Sequence, residues 1–196
     1  IIIHLAAITN RRRCQLNPEG SKFIHSEIVD VFNKCSDKLI YVSTVPIWND
    51  REISEEKDLY FCTKRDGENR TLQKSENVVI RTNLVGNGGL LKWAIESVQS
   101  GKSIDGFTNS NFNPAHTQQV SSFIFDSCGA GYTGLYNVFG DTVMSKHDFL
   151  KKAIKKKNLN LSLLKPKELK TTENLVYDKE GKNNEFFSFE ECLKLI

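Results

Sequence analysis

Methionine is almost missing from this sequence: Met144 is the only one in 196 residues. The chain opens instead on Ile1-Ile2-Ile3. A β-branched apolar triplet belongs to a buried strand, so the expectation is a chain that begins inside a fold. Proline occurs 4 times and glycine 12 times, which excludes collagen-like and Pro/Gly-rich disordered classes. The five cysteines, Cys14, Cys35, Cys62, Cys128 and Cys192, form no CxxC pair and no His-interleaved spacing. No metal site is indicated, and an odd, scattered set reads as reduced thiols in a cytoplasmic protein. No run of about 18 apolar residues is present, so no membrane span is expected. No basic segment followed by an apolar one opens the chain as an export signal would. Neither charge sign dominates: 27 basic against 24 acidic residues give a net charge of +3, too balanced to argue for nucleic acid as a partner.

What remains is an ordinary soluble composition, 39% hydrophobic and 26% charged, arranged in alternating patterns. Residues 1–6 read as a strand buried on both faces, and residues 7–17 as a polar loop holding Arg11-Arg12-Arg13. Apolar spacing predicts a helix over 18–35, with strands at 38–45 and 77–82. Between those strands lie a loop over 46–58 and a polar helix over 60–74. Strand, helix, strand, loop, helix, strand is the signature of a parallel sheet covered by helices. Further along, helices are expected at 90–99, 120–128 and 145–157, with Ser145 and Asp148 as a capping box. Short strands are expected at 104–107, 135–139 and 174–177, a turn-rich loop at 109–114 and a helical turn at 189–196.

Tyr60-Phe61-Cys62-Thr63-Lys64 is a Y-x-x-x-K segment at the start of a helix. Spacing i, i+4 puts phenol and ammonium on one face. A cation beside a phenol stabilises phenolate and lowers its pKa from about 10, which makes tyrosine a usable general acid. Ser43-Thr44 end the preceding strand, at the carboxyl edge where open parallel sheets bind ligands. Hydroxyl, phenol and ammonium together suit polarising a carbonyl and protonating it while a nicotinamide delivers hydride. The same spacing also occurs by chance on solvated helix faces, so order along the chain carries the argument.

That order resembles the extended short-chain dehydrogenase/reductase family, in its sugar-nucleotide branch of dTDP-4-dehydrorhamnose reductases. The matching segments are IIIHLAAIT (1–9), CQLNPE (14–19), LIYVST (39–44), YFCTKRDGE (60–68), VVIRTNLVG (78–86), FNPAHTQQV (112–120) and GLYNVFG (134–140). The resemblance implies an α/β protein. Residues 1–84 would be the C-terminal part of an NAD(P)-binding Rossmann domain, and 85–196 a small substrate-binding region partly interleaved with its sheet. It implies NAD or NADP as cofactor and a nucleotide-activated sugar as substrate, reduced at a 4-keto group in cell-surface polysaccharide synthesis. It implies Tyr60 as proton donor, Lys64 as its activator and a nicotinamide-ribose ligand, and Thr44 with Ser43 as the hold on the substrate carbonyl. Ala6 and Ala7 would line the cofactor groove, and Asn83 would face the substrate diphosphate or simply end its strand. Partners would be the nucleotide sugar and, as an open matter, a second copy of the chain, in the cytoplasm. A sugar-nucleotide epimerase, or a relative that binds a dinucleotide without turnover, are the alternatives.

Several features depart from the family. His25 stands where relatives often carry Asn in support of a proton relay. Val45-Pro46-Ile47-Trp48 replaces the usual continuation after Thr44, which alters the sugar pocket. The single GxGxxG, Gly129 to Gly134, lies between an expected helix and an expected strand, the reverse of the dinucleotide fingerprint. The Gly-rich turn is therefore expected before Ile1, with roughly 60–80 residues of strand-helix units, in a protein of roughly 260–280 residues. The 196-residue chain alone is expected to bind no dinucleotide measurably. The basic run KHDFLKKAIKKK (146–157) reads as a solvated helix face or a contact for an acidic partner. Arg11 to Arg13 read as exposed loop or phosphate contact, and His116 is unassigned.

Overall fold

The apolar run that opens the chain is a strand of a parallel sheet, but it is not buried on both faces as expected: only Ile2–His4 are in the strand, and Ile1, Ile3 and Leu5 are exposed while His4 points inward. The computed structural model describes residues 1–45, 55–129, 131–170, 172–175 and 183–196. The chain divides into two units: Ile1–Thr82 with Phe123–Asn137, and Asn83–Ser122 with Val138–Ile196.

The first unit runs through β1 (Ile2–His4), α1 (Arg11–Leu16), α2 (Pro18–Lys22), a widened π-helical turn at Phe23–Glu27, α3 (Ile28–Cys35), β2 (Leu39–Thr44), α4 (Glu55–Thr71) and β3 (Val78–Thr82). The second runs through β4 (Leu84–Val85), α5 (Gly89–Gln99), β5 (Ile104–Phe107), β6 (Ser110–Phe112) and β7 (Ala115–His116). The chain passes through α6 (Thr117–Ser127) into the first unit and back along β8 (Gly134–Gly140). It ends with β9 (Met144–Ser145), α7 (Lys146–Lys156), β10 (Leu164–Lys167), β11 (Glu173–Leu175), β12 (Asn184–Phe187) and α8 (Phe189–Leu195).

In the first unit β1, β2 and β3 pair in parallel, with Ile3 opposite Ile40, Ile40 opposite Val78 and Thr44 opposite Thr82. β8 follows β3 in the sheet, and β12 is the other neighbour of β8. Leu39, Tyr41 and Val79 point to one face of this sheet and pack on Val29 of α3. Side chains alternate along a strand, so Ser43 shares that face while Thr44 takes the other. The expectation of a parallel sheet with covering helices holds, and the fold is Rossmann-like α/β.

Local differences from the sequence reading have local causes. The expected loop over 7–17 holds α1, because Asn10 accepts the Arg13 N–H as an N-cap. Asn17 and Pro18 then start a second helix, which the π turn interrupts. The helix expected over 120–128 begins at Thr117. The turn-rich loop over 109–114 contains β6, which β9 joins antiparallel and β11 joins parallel. β10 and β12 carry no clear period of their own and are held by pairing with β5 and beside β8. The loop expected over 46–58 lies outside the described residues as far as Ser54, and so does the end of the strand expected over 174–177. Ser145 caps α7 by accepting the Asp148 N–H at 3.0 Å. The GxGxxG segment falls between α6 and β8, with Gly131 and Gly134 at positive φ. All five cysteines are free thiols. Among the described residues no helix is long and apolar enough to cross a membrane.

Candidate active site

α4 has a break at Asp58, whose φ of −157° and ψ of 83° are not helical. Asp58 acts as the cap of the segment that follows: its Oδ1 accepts the Phe61 N–H at 3.4 Å. Tyr60 is therefore in the first turn, beside the carboxyl end of β2. There the Thr44 side chain lies close enough to its phenol to lower the pKa. The structure thus brings together two of the predicted residues, one from a strand end and one from a helix start.

The phenol does not behave as the Y-x-x-x-K spacing suggests. Burial pushes its pKa up to about 12, and the nearby Thr44 side chain and the Arg11 charge pull back only part of that. Lys64 lies one turn further into the protein and is 2% exposed. Its Nζ donates to the Val42 carbonyl at 2.6 Å and sits 4.0 Å from the centre of the Tyr41 ring. Burial lowers its own pKa to about 7, with Glu68 opposing. The lysine is thus held against the β2 backbone, and desolvation governs both groups. An ammonium carries three donors, of which Val42 takes one.

Ser43 is buried on the face opposite Thr44, and its Oγ has no hydrogen-bond partner among the described residues. Ala6 is exposed and Ala7 half-buried after β1. Ala7, Ile8, Thr9, Asn10, Arg13 and Asn17 line a cavity of about 420 Å³. Asn83 belongs to the second unit, where its Nδ2 donates to Asn113 Oδ1 at 3.1 Å and its carbonyl accepts the Ala115 N–H.

Residues that sequence reasoning left open or passed over complete the surroundings of Tyr60. Arg11 grips Asp58 through both Nε and Nη2, with Nε to Oδ2 at 2.6 Å, and its guanidinium lies 4.6 Å from the Phe61 ring centre. The first arginine of the triplet is thus tied to the head of α4. Cys14 is buried close enough to raise the Tyr60 pKa slightly, and its Sγ donates to the Ile8 carbonyl at 2.9 Å. His25 is buried with its ring edge-on to Tyr60, centroids 5.5 Å apart. Asp58 had a readable signal, a capping residue type just before an apolar stretch. Arg11 had none, since its partner lies 47 positions away.

The rest of the motif is architectural. A Cβ on Gly67 would sit inside contact distance of the His25 carbonyl oxygen and the Tyr41 hydroxyl, so this helix can approach only with glycine there. Glu68, 1% exposed, takes Arg81 in a two-pronged ion pair, Nη2 to Oε2 at 2.6 Å and Nε to Oε1 at 3.0 Å. The E of YxxxKxxGE and the R of VIRT are therefore one contact between α4 and β3.

The Rossmann-like sheet thus carries Thr44 and Tyr60 at its carboxyl edge, with the buried Lys64 one turn on. No family model matches the chain, and no curated protein does. Solved structures do. The dTDP-4-dehydrorhamnose reductase of Bacillus anthracis, determined in complex with NADP, has a TM-score of 0.85 at 19% identity, over 98% of this chain and 78% of that one. A dTDP-4-dehydrorhamnose reductase from Clostridium acetobutylicum has a TM-score of 0.81 at 15% identity, over 99% and 79%. A dTDP-glucose 4,6-dehydratase from Streptomyces venezuelae, with NAD and TYD bound, has 0.73 at 13% identity, over 91% and 64%. At these identities the likeness is one of fold.

Proposed function

We propose that the protein is an NAD(P)-dependent oxidoreductase that reduces the 4-keto group of a nucleotide-activated sugar. The observation that carries this reading is the Tyr60–Thr44 hydroxyl pair at the carboxyl edge of the sheet. With its pKa near 12, the phenol is fully protonated at neutral pH, as a proton donor must be. Thr44 can donate to the same carbonyl oxygen, so two hydroxyls from different elements converge on one acceptor. The likeness in fold to reductases and a dehydratase of dTDP-sugars supports the substrate class.

The residues at this edge fit the nicotinamide end of a dinucleotide. Ser43 Oγ is a buried hydroxyl with no partner among the described residues, and the small side chains of Ala6 and Ala7 leave the exit of β1 open beside a cavity. Ala6 and Ala7 would line the ring, and Tyr60 and Lys64 would hold the ribose. When bound, the dinucleotide supplies or accepts hydride. Lys64, near half-protonated at neutral pH, can hold a ribose hydroxyl as donor. In this reading residues 1–84 serve the cofactor and 85–196 the sugar nucleotide, with Asn83 facing the diphosphate. The turn of Lys64 toward Val42 favours a second reading, a relative that binds a dinucleotide without turnover.

The test is oxidation of NADPH or NADH by the full-length gene product given a dTDP-4-keto-6-deoxy sugar, followed at the nicotinamide absorbance. Reduced sugar nucleotide formed in step with cofactor consumed supports the reductase. Interconversion of sugar epimers without net cofactor consumption replaces it with an epimerase, and tight dinucleotide binding with no product on any dTDP-, UDP- or GDP-sugar replaces it with the second reading.

A further inference from the structure

His25 is fully buried in the π turn of Phe23–Glu27. In that turn the Ile28 N–H reaches back to the Phe23 carbonyl, which deprives the Ile24 carbonyl of its usual partner. Side chains from two strands fill in: His4 Nε2 donates to the Ile24 carbonyl at 2.8 Å, and the Tyr41 hydroxyl donates to the His25 carbonyl at 2.6 Å. The widened turn is thus clamped to the sheet, and it carries the His25 ring inward.

Both ring nitrogens are committed. Nε2 accepts the Ile8 N–H at 2.9 Å. A backbone N–H can only donate, so the neutral ring must carry its proton on Nδ1. That Nδ1–H faces Thr63 Oγ1 at 2.8 Å, and the Thr63 hydroxyl donates onward to the Leu59 carbonyl at 2.8 Å. The bonds run one way, from the loop after β1, through the imidazole, to the first turn of α4. The titratable groups that act on the ring are Lys64 from α4 and His4 from β1, and both disfavour a charge there. Tyr60 lies edge-on against the ring at an interplanar angle of 87°.

Resting on the oxidoreductase reading above, we infer that His25 is a positioning residue that fastens the loop leaving β1 to the head of α4, fixes where the Tyr60 phenol meets Thr44, and relays no proton itself. A hydrocarbon of similar size would fill the space but leave the Ile8 N–H and the Thr63 hydroxyl without this bridge. Glutamine can replace the bridge, since its amide accepts at one atom and donates at the other.

Two measurements on the full-length protein test this, and neither needs substrate. Long-range ¹⁵N–¹H imidazole spectra, assigned by loss of the signal in His25→Gln, should show a neutral ring protonated on Nδ1 from about pH 5.5 to about 8.5. A ring protonated on Nε2, or one that titrates in that range, overturns the inference. Ring-labelled tyrosine, assigned with Tyr60→Phe, should show the Tyr60 titration midpoint rising above its wild-type value of about 12 in His25→Leu, because the Thr44 side chain that lowers it is no longer held beside the phenol. His25→Gln should keep it near wild type. A folded His25→Leu protein with the wild-type midpoint overturns the inference. Should His25→Leu not fold, a His25→Gln protein whose Tyr60 midpoint moves away from wild type does so instead. In turnover, His25→Leu should lower kcat at least about tenfold with little change in KM, because geometry and not binding is lost. A wild-type protein without reductase activity refutes the oxidoreductase reading alone, and the spectra still decide the role of His25.

Discussion

The two units of the chain are built on different physics. The first buries Asp58, Lys64 and Glu68, together with His4, His25 and Asn77, and ties each to a partner on another element. The second is centred on an apolar cluster of Leu91, Ala94, Val98, Ile104, Phe149, Leu150, Ile154 and Phe189. Among the described residues it buries a histidine, His116, but no carboxylate or ammonium. Apolar packing is nondirectional and tolerates exchange of similar volumes, whereas a buried polar group demands one partner in one place. Side-chain positions are therefore fixed most tightly in the unit that holds Tyr60, Thr44 and Lys64, which is where proton transfer would require it.

Breaking the polar ties should cost the first unit most. Glu68→Ala removes the buried carboxylate that Arg81 grips with two donors and should destabilise by about 3 kcal/mol, read from urea unfolding. Gly67→Ala should cost about as much, since the new methyl meets backbone and a hydrogen-bonded hydroxyl that cannot retreat without moving α4. In the second unit, Phe149→Leu should cost only about 1 kcal/mol, because the cluster can close around a similar volume. Losses of equal size in both units would erase the distinction.

A pH titration sharpens the same contrast. The pKa of His25 falls from 6.5 to about 4 on folding, with burial the main cause. Between those values the unfolded chain binds the proton and the folded one does not. Stability is thus complete above pH 6.5 and is lost as pH falls toward 4, by about 3 kcal/mol at most from this group. Lys64 acts at the other end. Its folded pKa near 7 lies below the ordinary 10.5, so stability rises from pH 7 to 10.5 as the unfolded chain alone keeps its proton. Urea midpoints of Lys64→Met should lack the alkaline rise, and those of His25→Gln should fall less steeply in acid.

Much of this arrangement was legible in the residues. The alternation of strands and helices, Ser43-Thr44 at a strand end and Tyr60 at a helix start all follow from local pattern. What was not legible depends on distant partners. The inward turn of Lys64 follows from the Val42 carbonyl and the Tyr41 ring, which spacing along α4 cannot reveal. The π turn at Phe23–Glu27 has no composition of its own and is stabilised by His4 and Tyr41 from neighbouring strands. The expected lowering of the Tyr60 pKa assumed a solvated cation beside it, and burial of both groups reversed the sign.

The central claim is that Tyr60 delivers the proton at the carboxyl edge of the sheet. Tyr60→Phe removes one oxygen and keeps the ring against His25 and Phe61. With the full-length protein, a dTDP-4-keto-6-deoxy sugar and NADPH, the account predicts a fall in kcat of about 10²–10⁴-fold with dinucleotide affinity changed only slightly. A Tyr60→Phe protein that turns over at the wild-type rate would contradict it.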